Sequence, residues 1–152
     1  MAKGFTSKLV TVTVRDRPLQ LIMATIAADP ELEVEAGLLD TDSDIAAYGW
    51  YNEFGTKTIP ARSFIRSTFD SNKAKYLRQL EGDLQKALRR GRPLKAAMVR
   101  LGNEQRNDIV KKITSLRVPP NDPATIAQKG SSNPLIDTGI MRATIRFRVK
   151  KS

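Results

Sequence analysis

The 152-residue sequence contains no cysteine and no histidine. These absences exclude disulfide bonds, thiolate zinc sites, cysteine nucleophiles and histidine-based catalytic triads. No run approaches the roughly 20 apolar residues that a membrane-spanning helix needs. The first residues also lack the apolar core of a signal peptide, because Thr and Lys interrupt them. We therefore expect a protein without membrane contact, made in a reducing cytoplasm and kept there or in an assembly formed there.

The sequence also lacks the common catalytic signatures. It has no Walker loop, no G-x-G-x-x-G and no G-x-S-x-G. An enzyme would have to work through carboxylates, Lys, Ser or Tyr. Glu53 near Arg62 and Arg66 is the one arrangement of this kind, and a structural salt bridge is the favoured interpretation. We expect no enzymatic activity and no cofactor.

The spacing of Asp40, Asp42 and Asp44 resembles the start of a calcium-binding loop. Such a loop needs a glycine at its sixth position and an acid at its twelfth, where this chain has Tyr51 instead. The favoured interpretation is a polar turn followed by a helix that is capped by Ser43 or Asp44. No metal site is predicted.

The net charge of +10 is distributed unevenly along the chain. Residues 29–54 hold eight acids and no Lys or Arg, whereas residues 86–151 hold sixteen Lys or Arg and four acids. Three interpretations stay open: a solvated face, contact between the acidic part of one copy and the basic part of another, or nucleic-acid binding. The densest basic cluster, a possible interface, comprises Lys86, Arg89, Arg90, Arg92 and Lys95.

Hydrophobic periodicity predicts an α+β fold. Period-two alternation indicates strands near 8–15, 31–38 and 142–150, forming a small mixed or antiparallel sheet. Helical spacing predicts a long hairpin of helices at about 61–90 and 94–113, packed on that sheet. Shorter helices are expected from Pro18 to about residue 29 and from residue 45 to 54. The chain is expected to form a single domain, residues 1–152, with extended loops at about 55–60 and 114–138.

Aromatic residues are scarce, yet they concentrate in residues 48–69. This stretch holds the only Trp, two of the three Tyr and three of the five Phe. Because aromatic side chains bury large areas, we expect Trp50, Phe54, Phe64 and Phe69 to anchor the core beside the first loop. Charge-assisted hydrogen bonds from Arg62 and Arg66 are expected to fix that loop.

Two motifs stand out in the sequence. The first comprises Trp50, Tyr51, Asn52, Glu53, Phe54, Gly55, Pro60, Arg62, Phe64 and Arg66, and the second comprises Leu135, Asp137, Gly139 and Arg142. Together they resemble a family of tailed-bacteriophage neck proteins, the small minor tail or tail-completion proteins. Ser63 departs from the first motif, since relatives often have a second proline at that position.

The resemblance implies a structural virion protein without enzymatic activity. Such a subunit forms a ring, a hexamer by expectation, that joins the head connector to the tail tube. Its partners would be copies of itself, connector or head-closure proteins and tail-tube or tail-terminator proteins, with non-specific contact to genomic DNA in the lumen. It would reside in the neck or tail of the virion, and in the host cytoplasm during assembly.

Alternatives to that role are a tail terminator, a head-closure protein, or a basic DNA-binding protein with Arg142, Arg146 and Arg148 along the phosphate backbone. Within the second motif, we expect Asp137 to cap a short turn. Gly139 would allow that turn and Arg142 would brace it.

Overall fold

A computed structural model describes residues 17–28 and 31–151. The described part has an α+β fold, in which a two-stranded antiparallel sheet packs against a long helical hairpin, so the predicted fold class is confirmed. The strand predicted near 8–15 lies outside the described residues. The elements are α1 Arg17–Ala28, β1 Leu32–Leu38, α2 Ser43–Phe54, α3 Arg66–Arg89, α4 Lys95–Ser115, α5 Pro123–Lys129, α6 Ile140–Thr144 and β2 Ile145–Lys151.

The sheet brings the acidic and basic segments of one chain together. β1 and β2 are antiparallel, with Glu35 opposite Arg148. The Glu35 carboxylate accepts hydrogen bonds from Lys150 and Arg148, which lower its pKa, and Arg148 also donates to Asp40 at 2.8 Å. Part of the charge asymmetry is therefore neutralised within the chain rather than left for contact with another copy.

Helix α4 lies at the centre of the fold, with α3 and both strands packed around it. Helices α3 and α4 are joined by polar bonds as well as apolar contacts, since Asp108 on α4 accepts from Lys75 at 2.7 Å and from the Tyr76 hydroxyl at 3.0 Å. The β2 strand approaches α4 so closely that a Cβ at Gly102 would collide with the Phe147 ring. The buried core cluster consists of Phe64, Ile109, Ile113, Leu116, Leu135, Met141 and Ile145.

Three predicted boundaries differ from the structure. The first long helix begins at Arg66 rather than near residue 61, because residues 61–65 form a turn that is bonded to α2. The last strand begins at Ile145 rather than near 142, because residues 140–144 form the short helix α6. The residue capping α2 is Asp42, without a side-chain bond, rather than Ser43 or Asp44.

The predicted end of α2 is confirmed, since the helix ends at Phe54 and is followed by Gly55, whose φ of +78° favours glycine. Within the second predicted loop, residues 123–129 form the helix α5. None of the helices in residues 17–28 and 31–151 is long and apolar enough to cross a membrane.

Candidate functional site

Residues 52–66, here called the elbow, connect α2 to α3 through one buried carboxylate. Glu53 is 4 % exposed and accepts hydrogen bonds from the backbone amides of three consecutive residues, at 2.7, 2.9 and 3.0 Å. Those amides belong to Phe64, Ile65 and Arg66, at the start of α3. Because the first amides of a helix have no partner inside it, a carboxylate from another element caps α3 here.

Two side chains complete this cap. The Ser63 hydroxyl donates to Glu53 at 2.7 Å and accepts from the Ser67 amide at 3.1 Å. The Arg66 guanidinium donates to the same carboxylate at 3.2 Å. The departure at Ser63 from the phage motif therefore supplies a hydrogen bond that a proline would not.

The protonation of Glu53 reflects these contacts. Burial by itself raises the pKa of this carboxyl, but the amides of Ile65, Arg66 and Phe64 and the Ser63 hydroxyl outweigh burial, so the pKa lies below the ordinary value. With five donors on its two oxygens, Glu53 is held as an anion that caps a helix. Its partners are backbone amides and the side chains of Ser63 and Arg66, so the carboxylate holds the start of α3 against α2.

Arg62 ties the elbow to the second loop rather than to Glu53. Its side chain is 5 % exposed and donates to the carbonyls of Pro119 and Pro120, both at 2.8 Å, and to the Asn52 carboxamide at 3.3 Å. The Arg62 amide also donates to the Asn52 carbonyl at 2.6 Å. Burial lowers the pKa of Arg62, yet an arginine remains charged in proteins. The carbonyl partners, more than fifty residues away in sequence, could not be read from the motif.

Three of the four aromatic residues of α2 face solvent, and the fourth, Tyr48, packs against the core. The expectation that Trp50 and Phe54 anchor the core is therefore wrong. Trp50 is 62 % exposed, Tyr51 47 % and Phe54 43 %, whereas Phe64 is fully buried as expected. The residues that α2 buries are Gly49, Asn52 and Glu53. We call Trp50, Tyr51 and Phe54 the aromatic patch.

The aromatic patch is held in place by the elbow. The Trp50 and Phe54 rings lie 4.2 Å apart between centroids. The Arg66 guanidinium sits 4.6 Å from the Phe54 centroid while it also donates to Glu53. The Arg66 guanidinium that helps to cap α3 therefore also contacts Phe54, and Phe54 in turn contacts Trp50.

The second motif packs beside the elbow, although not all of its residues act as expected. Leu135 is 2 % exposed in the core, and Gly139 has a φ of +82°, so it allows the turn as predicted. In the described chain, Asp137 and Arg142 make no hydrogen bond or ion pair. Thr138 accepts from the Ile140 amide instead, at 3.4 Å.

Asn133 had no predicted role, yet it is the residue that attaches this segment to α4. Its side chain donates to the carbonyls of Ile113 and Thr114 at 3.2 and 3.0 Å and accepts from the Leu135 amide at 2.9 Å. An asparagine that bonds to the backbone two residues ahead is typical of turns. The Asn-Pro pair at 133–134 was therefore the available sequence signal.

The two predicted loops face each other across a cleft of about 570 Å³. Its walls include Ile59 and Pro60 from the first loop and Asn121 and Asp122 from the second, with Arg62 between them. Gly55 shapes the first loop, because a Cβ there would lie 2.9 Å from the Ala61 amide nitrogen. Hydrogen bonds hold both loops: the Thr56 amide donates to the Ile59 carbonyl in the first, and Arg62 donates to two carbonyls of the second.

The predicted basic cluster lies at the turn between α3 and α4. We call Lys86, Arg89, Arg90, Arg92 and Lys95 the basic tip. Within residues 17–28 and 31–151, no carboxylate forms an ion pair with any of these five side chains, although Arg100 beside them pairs with Asp83 at 3.0 Å. The same part of the chain has no group of three or more Asp or Glu residues that could hold a metal ion.

Comparisons with family models, with curated proteins and with solved structures found no match. The likeness to neck proteins thus rests on the two motifs alone.

Proposed function

We propose that this chain is a structural virion protein of a tailed phage, a neck or tail-completion subunit that assembles into a ring between head connector and tail tube. The observation that carries the proposal is the aromatic patch, which is exposed on α2 and contacts Arg66, a member of the network that caps α3. Tail terminator and head-closure roles are alternatives within the same class of structural virion proteins.

The buried polar residues of the motif support a structural role. Glu53, Asn52 and Arg62 bond to one another's segments and to backbone groups at both ends of the elbow. Buried polar groups with all their partners in place hold one conformation. The motif therefore serves to fix the orientation of α2 against α3 and the second loop.

The chemistry of the patch fits a protein partner. Trp, Tyr and Arg are the residue types that dominate binding energy at interfaces, and here Trp50, Tyr51 and Arg66 are exposed together. Because the Trp50 and Phe54 rings already contact each other and Arg66, they lose little side-chain freedom on binding. The partner we propose is a neighbouring copy, because a heterologous contact that closes by rotation forms a ring.

The experiment compares assembly of the wild type with that of Trp50→Ala, measured by light scattering after size exclusion, alone and with connector and tail-tube proteins. We expect ring-sized particles from the wild type and about thirtyfold weaker association from the variant, as for a typical interface hot spot. Leu77→Ala is the matched control, because Leu77 is 58 % exposed on α3, away from the patch.

If Trp50→Ala assembles as well as the wild type, the aromatic patch does not form part of the interface. A wild type that stays monomeric beside every neck component, or that proves catalytic, would overturn the proposed function itself.

A further inference from the structure

The basic tip is a concentration of positive charge that the chain itself does not balance. Residues 86–100 contain six Lys or Arg and no acid. In the part of the chain that the structure describes, only Arg100 among them forms an ion pair, with Asp83. Elsewhere the chain pairs such charges readily, as between β1 and β2. Uncompensated like charges held close together repel one another, and a bound anion would relieve that repulsion.

One of these charges departs from the usual preference at helix ends. Lys86 and Arg89 lie in the last turn of α3, where a cation is favourable, and Arg92 follows the same helix end. Lys95, in contrast, is the first residue of α4, where the helix dipole disfavours cations. The first turn of α4 contains no acid, and no side chain caps it. The stability of the isolated chain therefore does not explain Lys95.

The tip encloses a cavity rather than a flat surface. Its volume is about 260 Å³, and it is lined by four cations, by the acid Asp83 and by the small residues Ala87, Pro93 and Ala96. The four cations are Lys86, Arg90, Arg92 and Arg100; Arg100 pairs with Asp83, and the other three form no ion pair within the described residues.

The turn that carries this cavity is rigid. The Arg92 amide donates to the Ala87 carbonyl at 2.9 Å, and Gly91, with a φ of +57°, lies against Leu21 of α1. The cations are thus presented from a fixed backbone.

We propose that this cavity binds phosphate groups of duplex nucleic acid, without reading sequence. Guanidinium and ammonium groups are what phosphate contacts require, and such contacts carry no base specificity. No aromatic side chain lines the cavity, so it offers no platform on which single-stranded bases could stack.

A protein partner is less well matched, because interfaces centre on large apolar and aromatic side chains. The exposed aromatic side chains of the described residues lie on the aromatic patch, at the other end of α3, whereas the apolar neighbour of the tip is the half-exposed Leu21 of α1. Helix α3 has 24 residues and is about 36 Å long. The subunit thus has separate ends for protein and for phosphate. The phosphate site does not depend on the proposed ring.

The test is a fluorescence-anisotropy titration of a 20-base-pair duplex between 50 and 200 mM NaCl. The tip variant carries Lys86→Gln, Arg90→Gln and Arg92→Gln, none of which removes a hydrogen bond in the described structure. We expect the wild type to bind with a steep salt dependence. The tip variant should bind at least tenfold more weakly at 50 mM salt, and its slope of log K against log salt should fall by about 2.7, the contribution of three phosphates.

The matched control removes the same charge from exposed residues elsewhere, with Lys73→Gln, Arg146→Gln and Lys151→Gln. Arg146 also belongs to the strand face considered above as an alternative phosphate track. The control should weaken binding less than threefold. Equal losses in the two variants, or no binding by the wild type at 50 mM salt, would overturn the assignment.

Polyglutamate of matched charge serves as competitor. If it displaces the duplex at equal charge concentration, the site takes acidic protein and the assignment to phosphate is wrong. Light scattering on the same variants keeps the two proposals separate. A tip variant that assembles normally but loses DNA binding supports the phosphate site, and loss of assembly by the Trp50→Ala variant leaves this result unaffected.

Discussion

Removing the Glu53 carboxylate should destabilise the whole fold, because that one group satisfies the start of the longest helix. In Glu53→Ala, the amides of Phe64, Ile65 and Arg66 lose their acceptor together. The Arg66 guanidinium and the Ser63 hydroxyl lose theirs as well. The turn that places Phe64 in the core would then have no bond to α2 through this side chain.

The magnitude follows from the burial of each donor. A hydrogen bond to a charged group contributes about 1.5–3 kcal/mol, so three amides would give roughly 5–9 kcal/mol if all were dry. Only Phe64 is fully buried, whereas Ile65 is half-buried and Arg66 is exposed, so water replaces part of the loss at these two. We therefore expect a decrease of about 3–5 kcal/mol in the free energy of unfolding, as for other broken buried pairs.

Urea unfolding at pH 7, followed by far-ultraviolet circular dichroism, measures this decrease. It is a large share of the roughly 5–15 kcal/mol that stabilises a typical domain. Glu31→Ala is the control, because Glu31 is exposed and its side chain makes no bond in the described structure; its effect should stay within about 0.5 kcal/mol. If Glu53→Ala unfolds within about 1 kcal/mol of the wild type, the cap does not hold the elbow and the reasoning fails.

Two further predictions concern the same region. Phe64→Ala should lower the free energy of unfolding by about 3–5 kcal/mol, because the ring is fully buried, and a soluble Phe64→Ala protein that assembles fully would contradict this. Stability should also fall with acid below about pH 4.5, the ordinary pKa of glutamate, since the lowered pKa of Glu53 means that the unfolded chain binds its proton first. Urea midpoints from pH 7 to pH 3 measure the acid effect, which Glu53→Gln should flatten only in part because the pKa of Glu35 is lowered too; an unchanged pH profile in that variant would exclude Glu53 as a cause.

The sequence predicts those helices and strands whose apolar residues recur with a single period, and whose contacts are made with residues nearby in the chain. The alternation of acids and apolar residues in β1 and the helical spacing of α3 and α4 are of this kind, and both are confirmed. The same rule misplaced the start of β2. Alternation extends back to Met141, but Gly139 turns the chain, and residues 140–144 close one helical turn that buries Met141. Period alone cannot separate a strand from a short helix that precedes it.

The hydrogen-bond partners of the motif residues could not be predicted from the sequence, for a different reason. Arg62 was expected to form charge-assisted hydrogen bonds, and it does form hydrogen bonds, but to the carbonyls of Pro119 and Pro120. Every residue has a backbone carbonyl, so the sequence does not show which carbonyls accept hydrogen bonds. The hydrophobic periodicity also gives no indication that residues 62 and 119 lie close together. Likewise, Ser63 looked like a loss from the motif until its bonds to Glu53 and Ser67 were placed.

Helix α2 departs in part from the usual partition of side chains, and this departure connects the fold to the proposed role. Its fully buried residues are Gly49, Asn52 and Glu53, and Ile45 and Tyr48 pack against the core, while Trp50 and Phe54 face solvent. An isolated soluble protein gains stability by the opposite arrangement, since burial of an aromatic ring is favourable and burial of a carboxylate is costly. The polar groups remain stable because they have partners: Asn52 accepts from Arg62, and Glu53 accepts from the amides of residues 64–66. Places where a sequence breaks such a rule, and compensates for it locally, are typically functional. Here the Trp50 and Phe54 rings lie outward, which is the arrangement that the proposed contact with a neighbouring copy requires.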